Sequence, residues 1–132
     1  MRNHPLKSFQ LSNEILDQIS RFKRKTGISK NNVICRWAFY YSISLDGSPL
    51  LNQNFSYPEG GKGEISWEVF GGEQSTLLSK LLTKKCMDYD RNNPNINQIL
   101  KDILLSHIYR GLNQLLSTKK INSISDLIKT IL

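Results

Sequence analysis

The chain has 132 residues, 39% of them hydrophobic, and a formal net charge of +7. That supports one domain around one modest core and excludes global disorder, and the absence of any apolar run near 18 residues excludes a membrane-spanning helix. Its two cysteines, Cys35 and Cys86, have no partner Cys or His at metal-ligand spacing, which leaves two buried free thiols rather than a disulfide framework or a zinc site.

Residues 7–11 alternate, Phe9 and Leu11 against Ser8 and Gln10, and predict a short half-buried strand. Ser12 is a helix N-cap, with Glu14 in the first turn where the helix dipole favours an acid. Ile15, Leu16, Ile19 and Phe22 form one apolar face of about four turns. Gly27 ends that helix, because glycine takes the left-handed C′ position without steric cost. A second helix starts near Asn31, with Ser29, Asn31 and Asn32 all able to cap. Val33, Ile34, Trp37, Ala38, Tyr41 and Leu45 mark its buried face, with Arg36 and Tyr40 off it. Residues 46–63, "DGSPLLNQNFSYPEGGKG", read as a long loop.

Residues 64–70, "EISWEVF", alternate Ile65, Trp67 and Val69 with polar residues and predict a second strand, stopped at Gly71-Gly72. Leu77, Leu78, Leu81 and Leu82 mark a third helix over 73–87. Asn95 or Asn97 caps a fourth, whose stripe is Ile99, Leu100, Ile103, Leu104, Ile108, Leu112, Leu115 and Leu116. A last short helix covers 123–131. The expected architecture is a single mainly α domain with one or two short β-strands. Its N-terminal strand–helix–helix part (7–46) resembles a ribbon-helix-helix module. A loop (47–63) and then a strand with helices (64–132) follow. One short strand cannot stand alone. Either it pairs with another subunit, which predicts an oligomer, or it pairs with the strand of residues 64–70.

Catalytic constellations are weak. His107 sits near the edge of the fourth helix's stripe and reads as structural, and His4 lies in the N-terminal tail. Asp88 and Asp90 could hold a divalent metal for strand cleavage, but no further acid or lysine completes a recognisable spacing. Gly60, Gly61 and Gly63 lack the strand and the Lys-Ser/Thr step of a phosphate loop. The chain reads as a non-enzyme with no metal and no cofactor.

The charge is uneven. Residues 1–48 hold eight Lys/Arg against three Asp/Glu, which is +5 of the +7. It concentrates in residues 21–32, "RFKRKTGISKNN", where Arg21, Lys23, Arg24, Lys25 and Lys30 have no acid among them. Cations in a last helical turn stabilise the dipole whatever the function. Five of them exceed that need, and Arg21 and Lys25 stand four apart, where like charges repel. The stretch also leads into a new helix N-terminus, whose free N–H groups seat phosphate. Arg21, Lys23, Arg24, Lys25, Gly27, Lys30 and Asn31 are therefore the candidate contacts to a DNA backbone. Base readout is less supported; in a ribbon-helix-helix dimer Ser8 and Gln10 would enter the major groove. Among Trp37, Phe39, Tyr40 and Tyr41, core packing is the ordinary role, and Tyr40 is the candidate for base stacking.

Residues 11–43, "LSNEILDQISRFKRKTGISKNNVICRWAFYYSI", together with "SWEVFGGE" (66–73), "LLSKLLTKKC" (77–86) and "LLSHIYRGLNQLL" (104–116), resemble the DndE family of the bacterial DNA phosphorothioation system. Segment 46–63 and the final helix (120–132) lie outside these matching pieces. The resemblance implies a component of a system that replaces a non-bridging phosphate oxygen with sulfur. A cysteine desulfurase, a DndC-like sulfurtransferase and a DndD-like ATPase act alongside it. It also implies a homotetramer, no catalytic motif, and binding of nicked double-stranded DNA through basic residues, which match Lys23, Arg24, Lys25, Gly27 and Lys30 here. The N-terminus has no apolar signal core, so a cytoplasmic location with no membrane partner is expected. The alternatives are an assembly subunit docking the sulfurtransferase or ATPase, a ribbon-helix-helix repressor, and a nickase using Asp88 and Asp90.

Overall fold

Ser12 fixes where the first helix starts. In the structure, a computed structural model describing residues 7–49, 54–87 and 96–117, its hydroxyl accepts the Ile15 N–H at 3.2 Å. Helix α1 (Asn13–Thr26) follows directly on strand β1 (Ser8–Gln10). Gly27 closes α1 with φ of +79°, its N–H returning to the Lys23 carbonyl at 2.9 Å. Helix α2 spans Asn31–Ser44. Its N-cap is Lys30, with no side chain capping it, so none of Ser29, Asn31 and Asn32 plays the capping role their chemistry allows.

Strand β2 is Glu64–Ser66 and pairs antiparallel with β1, Ser8 opposite Ser66, Phe9 opposite Ile65, Gln10 opposite Glu64. The ribbon is therefore closed within one chain, and the second of the two expected pairings holds. The likeness to a ribbon-helix-helix module stops at the element order. Gln10 is occupied besides: its amide donates to the Pro58 and Lys62 carbonyls, both at 3.0 Å.

The strand expected over 64–70 ends early. Ser66 caps a short helix α3 (Trp67–Gly71), accepting the Val69 N–H at 3.1 Å. Trp67 and Phe70 are buried, and Val69, expected inside, is 55% exposed. Three-residue spacing replaces alternation because a serine at the strand end offers the backbone a helical cap. A 3₁₀ turn over Gly72–Gln74 leads into α4 (Ser75–Met87), and α5 (Ile96–Ser117) is the longest helix described. The final helix of 123–131, Asp88, Asp90, Asn95 and His4 lie outside the described residues, as does the Cys86 side chain.

Helix α5 is the hub. It packs against α1, α2 and α4 and buries Leu100, Ile103, Leu104, Ile108, Leu112 and Leu115. Against α1 it runs parallel in register: Gln18 Nε2 donates to the Tyr109 carbonyl at 3.3 Å and Lys25 Nζ to the Leu116 carbonyl at 3.1 Å. Against α2 it approaches through Gly111 and Ala38. The buried face of α2 is Ile34, Cys35, Ala38, Phe39 and Ser42, turned from the expected one. Trp37 and Tyr41 are only half-buried. Ile34 and Ala38 belong to both faces, Phe39 and Ser42 turn inward, and the amphipathic rings settle at the rim. Phe9, Phe39, Trp67 and Phe70 form the aromatic core, with Phe9 and Phe70 edge-to-face at 5.3 Å.

The central loop is tied to both helices of the α1–α5 pair. Glu14 accepts from Ser56 N–H at 3.0 Å and Ser56 Oγ at 2.9 Å. Its own backbone N–H first, and then those two bonds, hold the Glu14 carboxyl below the ordinary range. Further along α5, Arg110 donates to the Gly47 carbonyl at 2.9 Å.

Candidate nucleic-acid interface

The basic stretch is the corner between α1 and α2. Its backbone is locked twice over. Thr26 Oγ1 donates to the Phe22 carbonyl at 2.9 Å and accepts the Ile28 N–H at 3.2 Å, across the left-handed Gly27. A side chain at Gly27 would meet nothing within 4 Å, so glycine is there for its dihedral angle, and the corner's outer face is open.

The five cations divide. Arg21 Nε lies 3.3 Å from Asp17 one turn back, so the stretch has a compensating acid just outside it. Lys25 donates to the Leu116 carbonyl at the C-terminal end of α5, where an ammonium satisfies an orphan acceptor and opposes the dipole. Both cations have structural employment. Lys23, Arg24 and Lys30 have no protein partner among the described residues, Arg24 and Lys30 being exposed and Lys23 half-buried. Lys30 sits at the N-cap of α2, beside Asn31 and the uncapped first turn. Two cations at the end of α1 and one at the start of α2 thus flank the turn that leads to the first N–H groups of α2.

A second feature was only half visible in the sequence. Asn32, Arg36 and Tyr40, four apart on α2, all bond to the bend between α3 and α4. Asn32 Nδ2 donates to the Val69 carbonyl at 3.2 Å, Arg36 Nε to the Phe70 carbonyl at 2.8 Å, and Tyr40 OH to Gln74 Oε1 at 2.5 Å. Between them, with Trp37, lies a pocket of about 200 Å³. The signal was the position of Arg36 and Tyr40 off the apolar stripe. What they face depends on the α3–α4 bend, which no local pattern announces. Another hollow of about 220 Å³ lies by Tyr57, Lys101 and Asp102.

Elsewhere the chemistry is quiet. Among the described residues no three His, Cys, Asp or Glu side chains converge on a metal-sized site. Burial pushes the Cys35 thiol up to about 12. His107 is buried beneath Phe39, with Nδ1 2.8 Å from Ser42 Oγ. No helix among the described residues is long and apolar enough to cross a membrane.

Comparison with known proteins places this architecture. It is similar to DndE from Escherichia coli B7A, described as involved in DNA phosphorothioation modification, with a TM-score of 0.64 and 20% identity over 83% of this chain and 95% of that one. It is also similar to a DndE mutant, described as involved in DNA phosphorothioation, with a TM-score of 0.60 and 19% identity over the same shares of the two chains. No curated protein matches. The family model of the DNA sulphur modification protein DndE matches residues 8–123, including the central loop that the matching sequence pieces leave out. The chain therefore belongs to the DndE family of DNA sulphur modification proteins.

Proposed function

We propose that this protein is a non-catalytic component of a DNA phosphorothioation system that binds the backbone of double-stranded DNA through the α1–α2 corner. One observation carries the reading: Lys23 and Arg24 in the last turn of α1 and Lys30 at the uncapped N-terminus of α2 have no partner of their own among the described residues. Solvated cations cost little to leave unpaired, and the locked turn fixes the backbone between them, so phosphate binding would order side chains without also ordering the corner's backbone. The same reading takes nicked duplex as the preferred form, since a nick lowers the energy of bending across several such corners. A homotetramer would supply those corners. A DndC-like sulfurtransferase and a DndD-like ATPase are the partner proteins, and the cytoplasm is the location.

The experiment is the salt dependence of binding to matched nicked and intact duplexes. Replacing Lys23, Arg24 and Lys30 together by alanine is expected to reduce the log–log salt slope by about two to three, near 0.9 per lost phosphate contact, with an affinity loss of about a hundredfold at low salt. Lys25→Met is expected to lower thermal stability, through the lost Leu116 bond, more than DNA affinity. An unchanged slope in the triple variant would remove the corner from DNA binding.

A second reading has its own observation. Val69 and Leu77 are 55% and 51% exposed, with Glu68 and Glu73 exposed beside them in sequence. Exposed apolar side chains with acids near them in sequence suit contacts to a partner protein. In an assembly subunit, Val69→Ser with Leu77→Ser would weaken the sulfurtransferase or ATPase complex and leave the salt slope on DNA intact.

A further inference from the structure

We infer that the pocket between α2 and the α3–α4 bend seats a nucleobase unstacked from a DNA strand, between Trp37 and Tyr40, with the outer edge of the Arg36 guanidinium facing its phosphate. The inference rests on the DNA-binding reading above and adds a second kind of contact to it.

Two of the lining side chains are fixed before any ligand arrives. Arg36 Nε is held by the Phe70 carbonyl at 2.8 Å, which orients the planar guanidinium. Its two terminal nitrogens have no partner among the described residues. Gly72 keeps that edge clear, since a Cβ there would stand 3.4 Å from Arg36 Nη2. Tyr40 is pinned by its bond to Gln74 Oε1. The Gln74 amide nitrogen is then left as a donor on an exposed side chain. Trp37 offers a half-buried indole.

Each group matches one part of a nucleotide. Indole and phenol rings provide stacking surfaces that accept any base, worth about 1–3 kcal/mol for each base stacked. A guanidinium binds phosphate oxygens through paired N–H donors, and a side-chain amide reads a base edge. A cavity of roughly 150 Å³ suffices for a benzene ring, so a pocket of about 200 Å³ has room for one base.

Position argues for a nucleic acid over a free small molecule. Arg36 and Trp37 lie six and seven residues beyond Lys30 on the same helix. That is roughly 10 Å along the axis, about three nucleotide steps at 3.4 Å each. A strand whose phosphate rests at the α1–α2 corner has a base within reach of the pocket. Intact duplex keeps its bases stacked, so the pocket favours single-stranded overhangs.

Indole Nε1–H resonances provide the readout. Trp67 is an internal reference, because its indole is buried and donates to Ser79 Oγ at 3.1 Å. With a duplex carrying a single-stranded overhang, the Trp37 signal is expected to shift saturably and the Trp67 signal to stay. The blunt duplex should bind through the corner without moving Trp37. Gln74→Glu puts a charge at the pocket mouth and keeps an acceptor for Tyr40. It is expected to weaken overhang binding about tenfold and blunt binding hardly at all. A Trp37 signal unmoved by an overhang duplex that nonetheless binds overturns the inference and leaves the corner reading standing, as does a Gln74→Glu effect equal on both duplexes. If neither duplex binds, the corner reading falls, and titration with 2′-deoxyadenosine 5′-monophosphate decides the pocket: a saturable Trp37 shift upholds it, and none sinks it.

Discussion

Gly111→Ala is expected to destabilise the protein by about 4 kcal/mol and to lower its melting temperature by roughly 15 °C. On helix propensity alone the sign would be opposite, since alanine in a helix interior is favoured over glycine by about 1 kcal/mol. Space decides it. A Cβ at Gly111 would lie 2.0 Å from the Ala38 carbonyl oxygen, 2.7 Å from its carbon and 3.0 Å from its Cα. All three are backbone atoms of α2, so no rotamer change relieves the clash. The helices must part by more than 1 Å. Ile34, Ala38, Ile108 and Leu112 then lose contacts on both sides of the separation. Overpacking in a core usually costs about 1–3 kcal/mol, and a rigid backbone neighbour puts this case beyond that range. Against a total stability of about 5–15 kcal/mol, the variant is near the edge of folding. Gly27→Ala is the comparison: nothing lies within 4 Å of its Cβ, and only the φ of +79° opposes it, a strain of about 1–2 kcal/mol. Urea unfolding of the two variants would separate close approach from backbone conformation. A Gly111→Ala midpoint near that of wild type would refute the packing argument.

That contact explains which parts of the fold the sequence made legible. Helix α1 could be read almost to the residue, because its cap, its stripe and its terminating glycine are local chemistry: Ser12, Ile15 to Phe22, Gly27. The stripe of α5 was equally clear. Helix α2 was read with the wrong face inward, since Trp37 and Tyr41 are more hydrophobic than Ser42. In the fold, Ser42 is inside because His107 and Arg110 bond to it, a relation across more than sixty residues. The strand over 64–70 failed for a related reason. Its alternation was real in composition, but Ser66 is a cap, and Trp67 and Phe70 meet the core from one helical turn.

The basic stretch was legible as a cluster but not as a set of individual roles. Charge counting treats Arg21 and Lys25 like their neighbours. Their partners, Asp17 in the preceding turn and the Leu116 carbonyl at the far end of the chain, appear only when α1 is laid on α5. The parallel register of those helices gives Lys25 a structural role at the end of α5, while Lys23, Arg24 and Lys30 have no protein partner among the described residues.

The last consequence concerns acid. Burial, with the Arg110 and Lys85 charges, lowers the His107 pKa from 6.5 to about 4. A charged ring would carry two N–H donors, and Nε2 has no acceptor among the described residues. Arg110 already occupies Ser42 on the other side, donating to its Oγ at 2.9 Å and its carbonyl at 2.6 Å. The folded protein thus keeps His107 neutral where the unfolded chain would protonate it. The unfolded state binds more protons between pH 6.5 and pH 4, so stability falls as the pH falls through that window and is unaffected above it. The expected loss from this residue is about 2 kcal/mol by pH 5 and about 3 kcal/mol once the folded ring titrates. Carboxylates such as Glu14, whose pKa is lowered from 4.5, lose their contribution further down the scale. Between pH 6.5 and pH 5 the slope therefore belongs mainly to His107. Wild type and His107→Gln, unfolded in urea at half-unit steps of pH, should converge as the pH drops: the variant starts weaker at pH 7.5, having lost the ring's packing on Phe39, and changes little down to pH 5. Parallel curves for the two proteins would mean that His107 is charged or hydrated in the folded state, and that the Ser42–His107–Arg110 contact is looser than its distances indicate.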